Sequence, residues 1–154
     1  MKQAIITVGR GGCDWSDRAI SDYAKRLRRY GGIEERFVKP ETFRGNVDAV
    51  RQREGERILR KVDARDRLVV MDERGLALDT MAFTALIEEC RNHGVPRICW
   101  AIGGPYGHDP SVRDAAWRVV RLSSLVLNHD IARVVLYEQI YRSMAIIHNV
   151  PYHH

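Results

Sequence analysis

Short apolar runs and helical stripes alternate along the whole chain, and this alternation restricts the fold more than any other feature of the sequence. Ala4–Val8 is apolar and stops at Gly9. Trp15, Ala19, Tyr23, Leu27 and Tyr30 then recur every three or four residues, one face of a helix ended by Gly31-Gly32. Ile33–Val38 predicts a strand stopped by Pro40. Asn46 is positioned to cap a helix over about 47–62. Leu68–Met71 predicts a buried strand followed by a turn at Arg74-Gly75. A helix then starts at Asp79 or Thr80 and ends at His93-Gly94. Ile98–Ile102 is the next buried strand. Asp109-Pro110 predicts a cap with proline at the first helical position, and Val112, Ala115, Ala116 and Val119 continue that helix. Leu122–Leu127 predicts a fifth strand, and 131–147 a last helix. Strands alternating with helices imply an α/β fold: a mostly parallel sheet of five or six strands, helices on both faces, in one domain over 1–154.

The last helix is apolar around most of its girth, from Ile131, Val134, Val135 and Leu136 to Met144, Ala145, Ile146 and Ile147. Such a helix needs burial on more than one face. A homodimer interface is one solution, and a central place in the monomer's own core is the other. No apolar run approaches the roughly 18 residues of a membrane span. The odd number of cysteines (Cys13, Cys90, Cys99) and the lack of a CxxC pair fit a reducing, cytoplasmic setting without a disulfide or zinc framework.

The net charge of +5 lies in one stretch. From Arg18 to Arg74 there are 16 Lys and Arg against 11 Asp and Glu, while the two flanking parts balance, and 21 of the 25 basic residues in the chain are Arg. The planar guanidinium suits phosphate and can stack on bases, so this half suggests contact with a polyanion through residues such as Arg26, Arg28 and Arg29. A solvated basic face is the alternative.

One loop stands out chemically. Ile102-Gly103-Gly104-Pro105-Tyr106-Gly107 follows a strand and precedes a capped helix, and its glycines open the main chain to a ligand. It is neither GxGxxG nor a P-loop. Met71-Asp72 and Leu122-Ser123-Ser124-Leu125-Val126-Leu127 end other strands at the same edge, where ligands of parallel sheets lie. The tail His148-Asn149-Val150-Pro151-Tyr152-His153-His154 is polar and aromatic, without a metal-binding pattern such as HExxH. Glu138 and Arg142 are spaced for a helical ion pair.

Taken in order, the glycine loop, Leu122–Leu127, His129 with Arg133 through Arg142, and Pro151-Tyr152-His153 closely resemble the bacterial ribosomal large-subunit methyltransferase H family. The match also covers Val8-Gly9, Asp14-Trp15 and Arg53-Glu54-Gly55-Glu56, and so spans nearly the whole chain. The resemblance implies a SPOUT-type α/β fold with a C-terminal trefoil knot, a homodimer, and methyl transfer from S-adenosylmethionine to N3 of a pseudouridine in 23S rRNA of the ribosome. It places cofactor contacts on Met71, Gly103 and Leu122, Ser123, Ser124, Leu125, Val126 and Leu127. It places the catalytic group on His153, Tyr152 and Arg142, with no metal. A non-catalytic RNA-binding protein and a related methyltransferase acting on tRNA are the alternatives. Two positions depart from the family pattern: His154 stands where Arg or Lys is usual, and Asn128 where proline is common.

Overall fold

The computed structural model describes residues 1–153. Five strands, β1 (Lys2–Val8), β2 (Glu34–Val38), β3 (Arg67–Ala77), β4 (Arg97–Ile102) and β5 (Arg118–Arg121), form one sheet in the order β2-β1-β4-β3-β5. Every pairing is parallel. The helices are α1 (Asp14–Leu27), α2 (Val47–Leu59), α3 (Thr80–Asn92), α4 (Pro110–Asp114) and α5 (His129–Ile147), and one 3-10 turn, Arg28–Tyr30, extends α1.

The two-residue period of the strands divides the core. Ile5, Val69, Ile98 and Trp100 face one side and pack with Leu27, Phe83, Ile87, Leu136 and Ile140 of α1, α3 and α5. Their neighbours Ala4, Ile6, Leu68, Val70, Cys99 and Ala101 face the other side and meet Ile58 of α2 and Val112 of α4. Most helices start on a side-chain cap: Asn46, Asp79, Asp109 and Asn128 accept backbone N–H bonds from Ala49, Ala82, Ser111 and Ile131. At position 128, then, asparagine does local work by capping α5.

The last helix is buried within its own subunit along much of its girth. Leu136, Tyr137, Ile140, Tyr141, Met144 and Ala145 are covered by α1, α3 and the sheet. Only part of the apolar surface of α5, such as Ile131, is left exposed. None of the described helices is long and apolar enough to cross a membrane.

Three expectations from the sequence are corrected. The fifth strand is Arg118–Arg121, not Leu122–Leu127. The helix before it stops at Asp114, because Val119 and Val120 pair with β3 instead of continuing the helix. Residues 122–127 form a loop in which the Ser123 hydroxyl accepts the Leu125 N–H at 2.9 Å. Arg74-Gly75 is not a terminating turn either: β3 bulges between Met71 and Leu76, so that both residues pair with Val120. Gly75 makes this possible, since a Cβ there would lie 2.6 Å from the Val120 backbone.

Candidate functional site

Parallel strands bring their carboxyl ends to one edge, and there the bulged part of β3 and the loops after β4 and β5 converge on a cavity of about 710 Å³. Met71, Ile102, Leu122 and Leu127 supply apolar walls, and Gly103 to Gly107 form one side. That side is a tight turn in which Gly107 N–H donates to the Gly104 carbonyl at 2.9 Å, with Gly107 at φ +78°. Of the predicted cofactor contacts, Met71, Gly103, Leu122, Ser123, Leu125, Val126 and Leu127 line the cavity; Ser124 is exposed outside it. Leu125 and Val126 are 75% and 84% exposed, an apolar lip on the rim.

Packing under the turn explains the glycines. A Cβ at Gly104 would lie 2.7 Å from Glu54 Oε2, and one at Gly103 would lie 3.2 Å from the His108 ring. Glu54, on α2, is almost wholly buried; its Oε1 accepts the Glu41 N–H at 2.9 Å, its Oε2 has no partner, and burial pushes its carboxyl up. His108 is buried as well, with neither ring nitrogen hydrogen-bonded, and burial pushes it down to about 4. The imidazole under the turn is therefore neutral at physiological pH.

The cavity is lined by both charges, with Asp72 and Glu73 beside three arginines, Arg51, Arg74 and Arg121. Asp72, also on the wall, accepts the Arg74 N–H at 3.0 Å and faces the guanidinium groups of Arg74 and Arg113. Burial pushes the Asp72 carboxyl up, but these partners more than offset it and hold the group below the usual carboxylate range. His129, the first residue of α5, also lines the cavity and is pushed down by burial and by the nearby Arg133. The motif reading singled out neither His108 nor these arginines. His108 immediately follows the glycine turn, which was the available signal.

The structure gathers Arg142, Tyr152 and His153 into a separate cluster. The helix end that carries them closes as a Schellman motif: Val150 N–H donates to Ala145 O at 2.9 Å and Asn149 N–H to Ile146 O at 3.0 Å, with Asn149 left-handed at φ +52°. The chain then turns back at Pro151 onto α5. Arg142 donates to Glu138 Oε1 at 2.6 Å and covers the Tyr152 ring at 4.7 Å, and its Nη1 lies 3.3 Å from His153 Nδ1. The Tyr152 hydroxyl donates to the same Glu138 oxygen at 3.3 Å. Burial, with Tyr23 and Glu138 nearby, pushes the Tyr152 phenol up, so the hydroxyl keeps its proton. Tyr152 also packs edge-on against Tyr141, 4.7 Å away. His154, where the family pattern has Arg or Lys, lies outside the described residues.

None of these three residues lines the cavity of its own subunit. Ala132, which does, precedes Arg142 by ten residues along α5, about 15 Å of helix. A second hollow, about 550 Å³, lies at the opposite edge of the sheet around Asp63, Asp66 and Arg97. Arg97 is already engaged there by both carboxylates, and the amino ends of the strands are not where parallel sheets bind ligands. Among the described residues no cluster of His, Cys, Asp and Glu is grouped to hold a metal ion.

A family model described as "Predicted SPOUT methyltransferase" matches residues 1–153. Curated relatives include proteins named ribosomal RNA large subunit methyltransferase H. Those from Geobacter sulfurreducens and Geotalea uraniireducens are 42% and 38% identical over the whole of both chains. That from Geobacter metallireducens is 41% identical over all of this chain and 99% of its own.

Proposed function

The chain belongs to the SPOUT methyltransferase family, and on that premise we propose that it transfers a methyl group from S-adenosylmethionine to N3 of a pseudouridine in 23S rRNA. One observation carries the reading: at the carboxyl edge the bulged part of β3 and the loops after β4 and β5 converge on one cavity, with the turn Gly103 to Gly107 along one side. That cavity fits the cofactor. Met71, Leu122 and Leu127 would pack against the adenine, and the backbone of Gly103 and of 122–127 would hydrogen-bond its polar edge and the ribose. When bound, S-adenosylmethionine supplies a methyl carbon made electrophilic by the adjacent sulfonium.

The chain's own residues supply orientation and proton management. The attacking imide nitrogen gives up its proton as it takes the methyl group. His153 is assigned to assist or position that proton transfer, while Tyr152 and Arg142 orient the nucleotide or its phosphate. The separation of this cluster from the cavity supports a homodimer in which the tail of one protomer completes the cavity of its partner. The apolar lip of Leu125 and Val126 gives such a partner a surface to cover. We further propose one domain over 1–154, a C-terminal knot, and a place of action on the ribosome in the cytoplasm. No metal is assigned a part.

Calorimetric titration with S-adenosylmethionine, followed by methylation of ribosomes, free rRNA and tRNA, tests this reading. Stoichiometric binding and one methyl group on large-subunit rRNA are expected. Methylation of tRNA alone would reassign the substrate, and absence of binding would remove the enzyme assignment.

A further inference from the structure

Two partly exposed aromatic rings stand at the rim of the cavity. The polar loop between β2 and α2 carries Phe43, and the glycine turn carries Tyr106. Their exposures are 50% and 37%, and their rings lie 5.7 Å apart, tilted by 33°. Neither ring is taken into the core, although together they are a large apolar area to leave solvated. The pair sits on a fixed base: Arg51, from α2, donates its Nε–H to the Tyr106 carbonyl at 2.7 Å, which ties the turn to the helix. Next to Phe43, Arg44 is exposed, and among the described residues no carboxylate pairs with it. Tyr106 lines the cavity and Phe43 does not, so the pair leads outward from the mouth.

We propose that Phe43 and Tyr106 form a stacking platform for a single-stranded RNA base next to the one being modified, with Arg44 engaging the adjoining phosphate. The inference rests on the RNA methyltransferase reading and adds to it the surface that holds the flanking nucleotide. Three features choose RNA over another occupant. Aromatic faces accept any base without reading its edge. Phe43 and Arg44 lie in the stretch that carries the whole net positive charge. The platform also adjoins the cavity in which the target base must meet the methyl donor. A base drawn from a folded RNA loses its stacking neighbours, and a platform beside the cavity restores one of them.

The test compares Phe43→Leu, Phe43→Tyr and Arg44→Ala with the unaltered protein. Phe43→Leu keeps apolar volume without a π-face, and at an exposed position it leaves folding intact. Anisotropy of a short labelled oligouridylate should show Phe43→Leu about tenfold weaker, Phe43→Tyr near the unaltered value, and the same salt slope in both. Arg44→Ala should lower the salt slope by about one. All three variants should keep their affinity for S-adenosylmethionine, and Phe43→Leu should raise KM for the RNA substrate more than it lowers kcat. Equal RNA affinity of Phe43→Leu and the unaltered protein overturns the platform. So does a loss accompanied by a changed sedimentation coefficient, which would make this face a contact between copies. Failure of the unaltered protein to bind S-adenosylmethionine would instead remove the functional reading, while the oligouridylate comparison would still decide the platform.

Discussion

The two ends of α5 serve in different ways. At its amino end the helix opens onto the cavity, beside a glycine turn, a loop held by the Ser123 hydroxyl and its own asparagine cap. At its carboxyl end it carries a cluster made of side chains, where one Glu138 oxygen accepts from both Arg142 and Tyr152. The first end is shaped to receive a ligand. The second is satisfied largely by contacts within the cluster. On the proposed function, a single subunit would hold both halves of a catalytic centre without joining them, which is the main reason to expect a composite site.

The sharpest way to break this contrast is to disable the ends separately. Gly104→Val drives a side chain into Glu54 and Val8, and is expected to abolish measurable S-adenosylmethionine binding in calorimetry while the tail cluster persists. Mixed dimers of Gly104→Val and Arg142→Ala chains should recover methyl transfer, because one cavity then meets one intact tail; no recovery would mean that each subunit works alone.

Next in size is a pH effect confined to the cavity end. His108 stays neutral in the fold down to about 4, whereas in the unfolded chain it takes a proton near 6.5. Between these values the unfolded chain binds more protons, so stability falls as pH drops from about 6.5 to about 4, by on the order of 3 kcal/mol. Glu54, with its carboxyl pushed up, acts in the opposite sense, so the contribution is read as the difference between the unaltered protein and His108→Leu in denaturant melts.

Arg142→Ala alone should lower kcat by about 100-fold with S-adenosylmethionine affinity unchanged, since it removes orientation without touching the cavity. A parallel loss of cofactor affinity would show that the two ends are not separate. The smallest effects belong to the helix's two asparagines. Asn128→Ala removes the amino-end cap and Asn149→Ala strains the left-handed turn, each costing about 1 kcal/mol in thermal melts. The first should also weaken cofactor binding, and the second should lower turnover.

Much of this was legible in the sequence because it depends on local pattern. Alternating periods gave the layers, and Asn46, Asp79 and Asp109 marked helix starts through their own side chains. Misreadings arose where distant segments decide. Trp117 to Arg121 continues the helical spacing of Val112 and Ala116, yet becomes a strand because the edge of β3 is open to it. Leu122–Leu127 is apolar enough for a strand, but at the cavity rim it has no such edge and closes on Ser123. The bulge at Gly75 answers to Val120, 45 positions later, which no local window contains. For the site, the glycine turn and the tail were both visible as motifs. What local pattern does not contain is that the tail turns back onto Glu138 and Arg142 of α5 and stays clear of the cavity.

The strand order has a consequence for synthesis on the ribosome. β3 takes its neighbours from β4 and β5, both downstream of it, and β1 waits for β4 to cover its second edge. Until residue 102 has emerged, the nascent chain can assemble only the β1–β2 ribbon, a two-stranded pair too small to hold by itself. Closure of the central sheet therefore waits for β4, and the edge of β3 for residues 118–121.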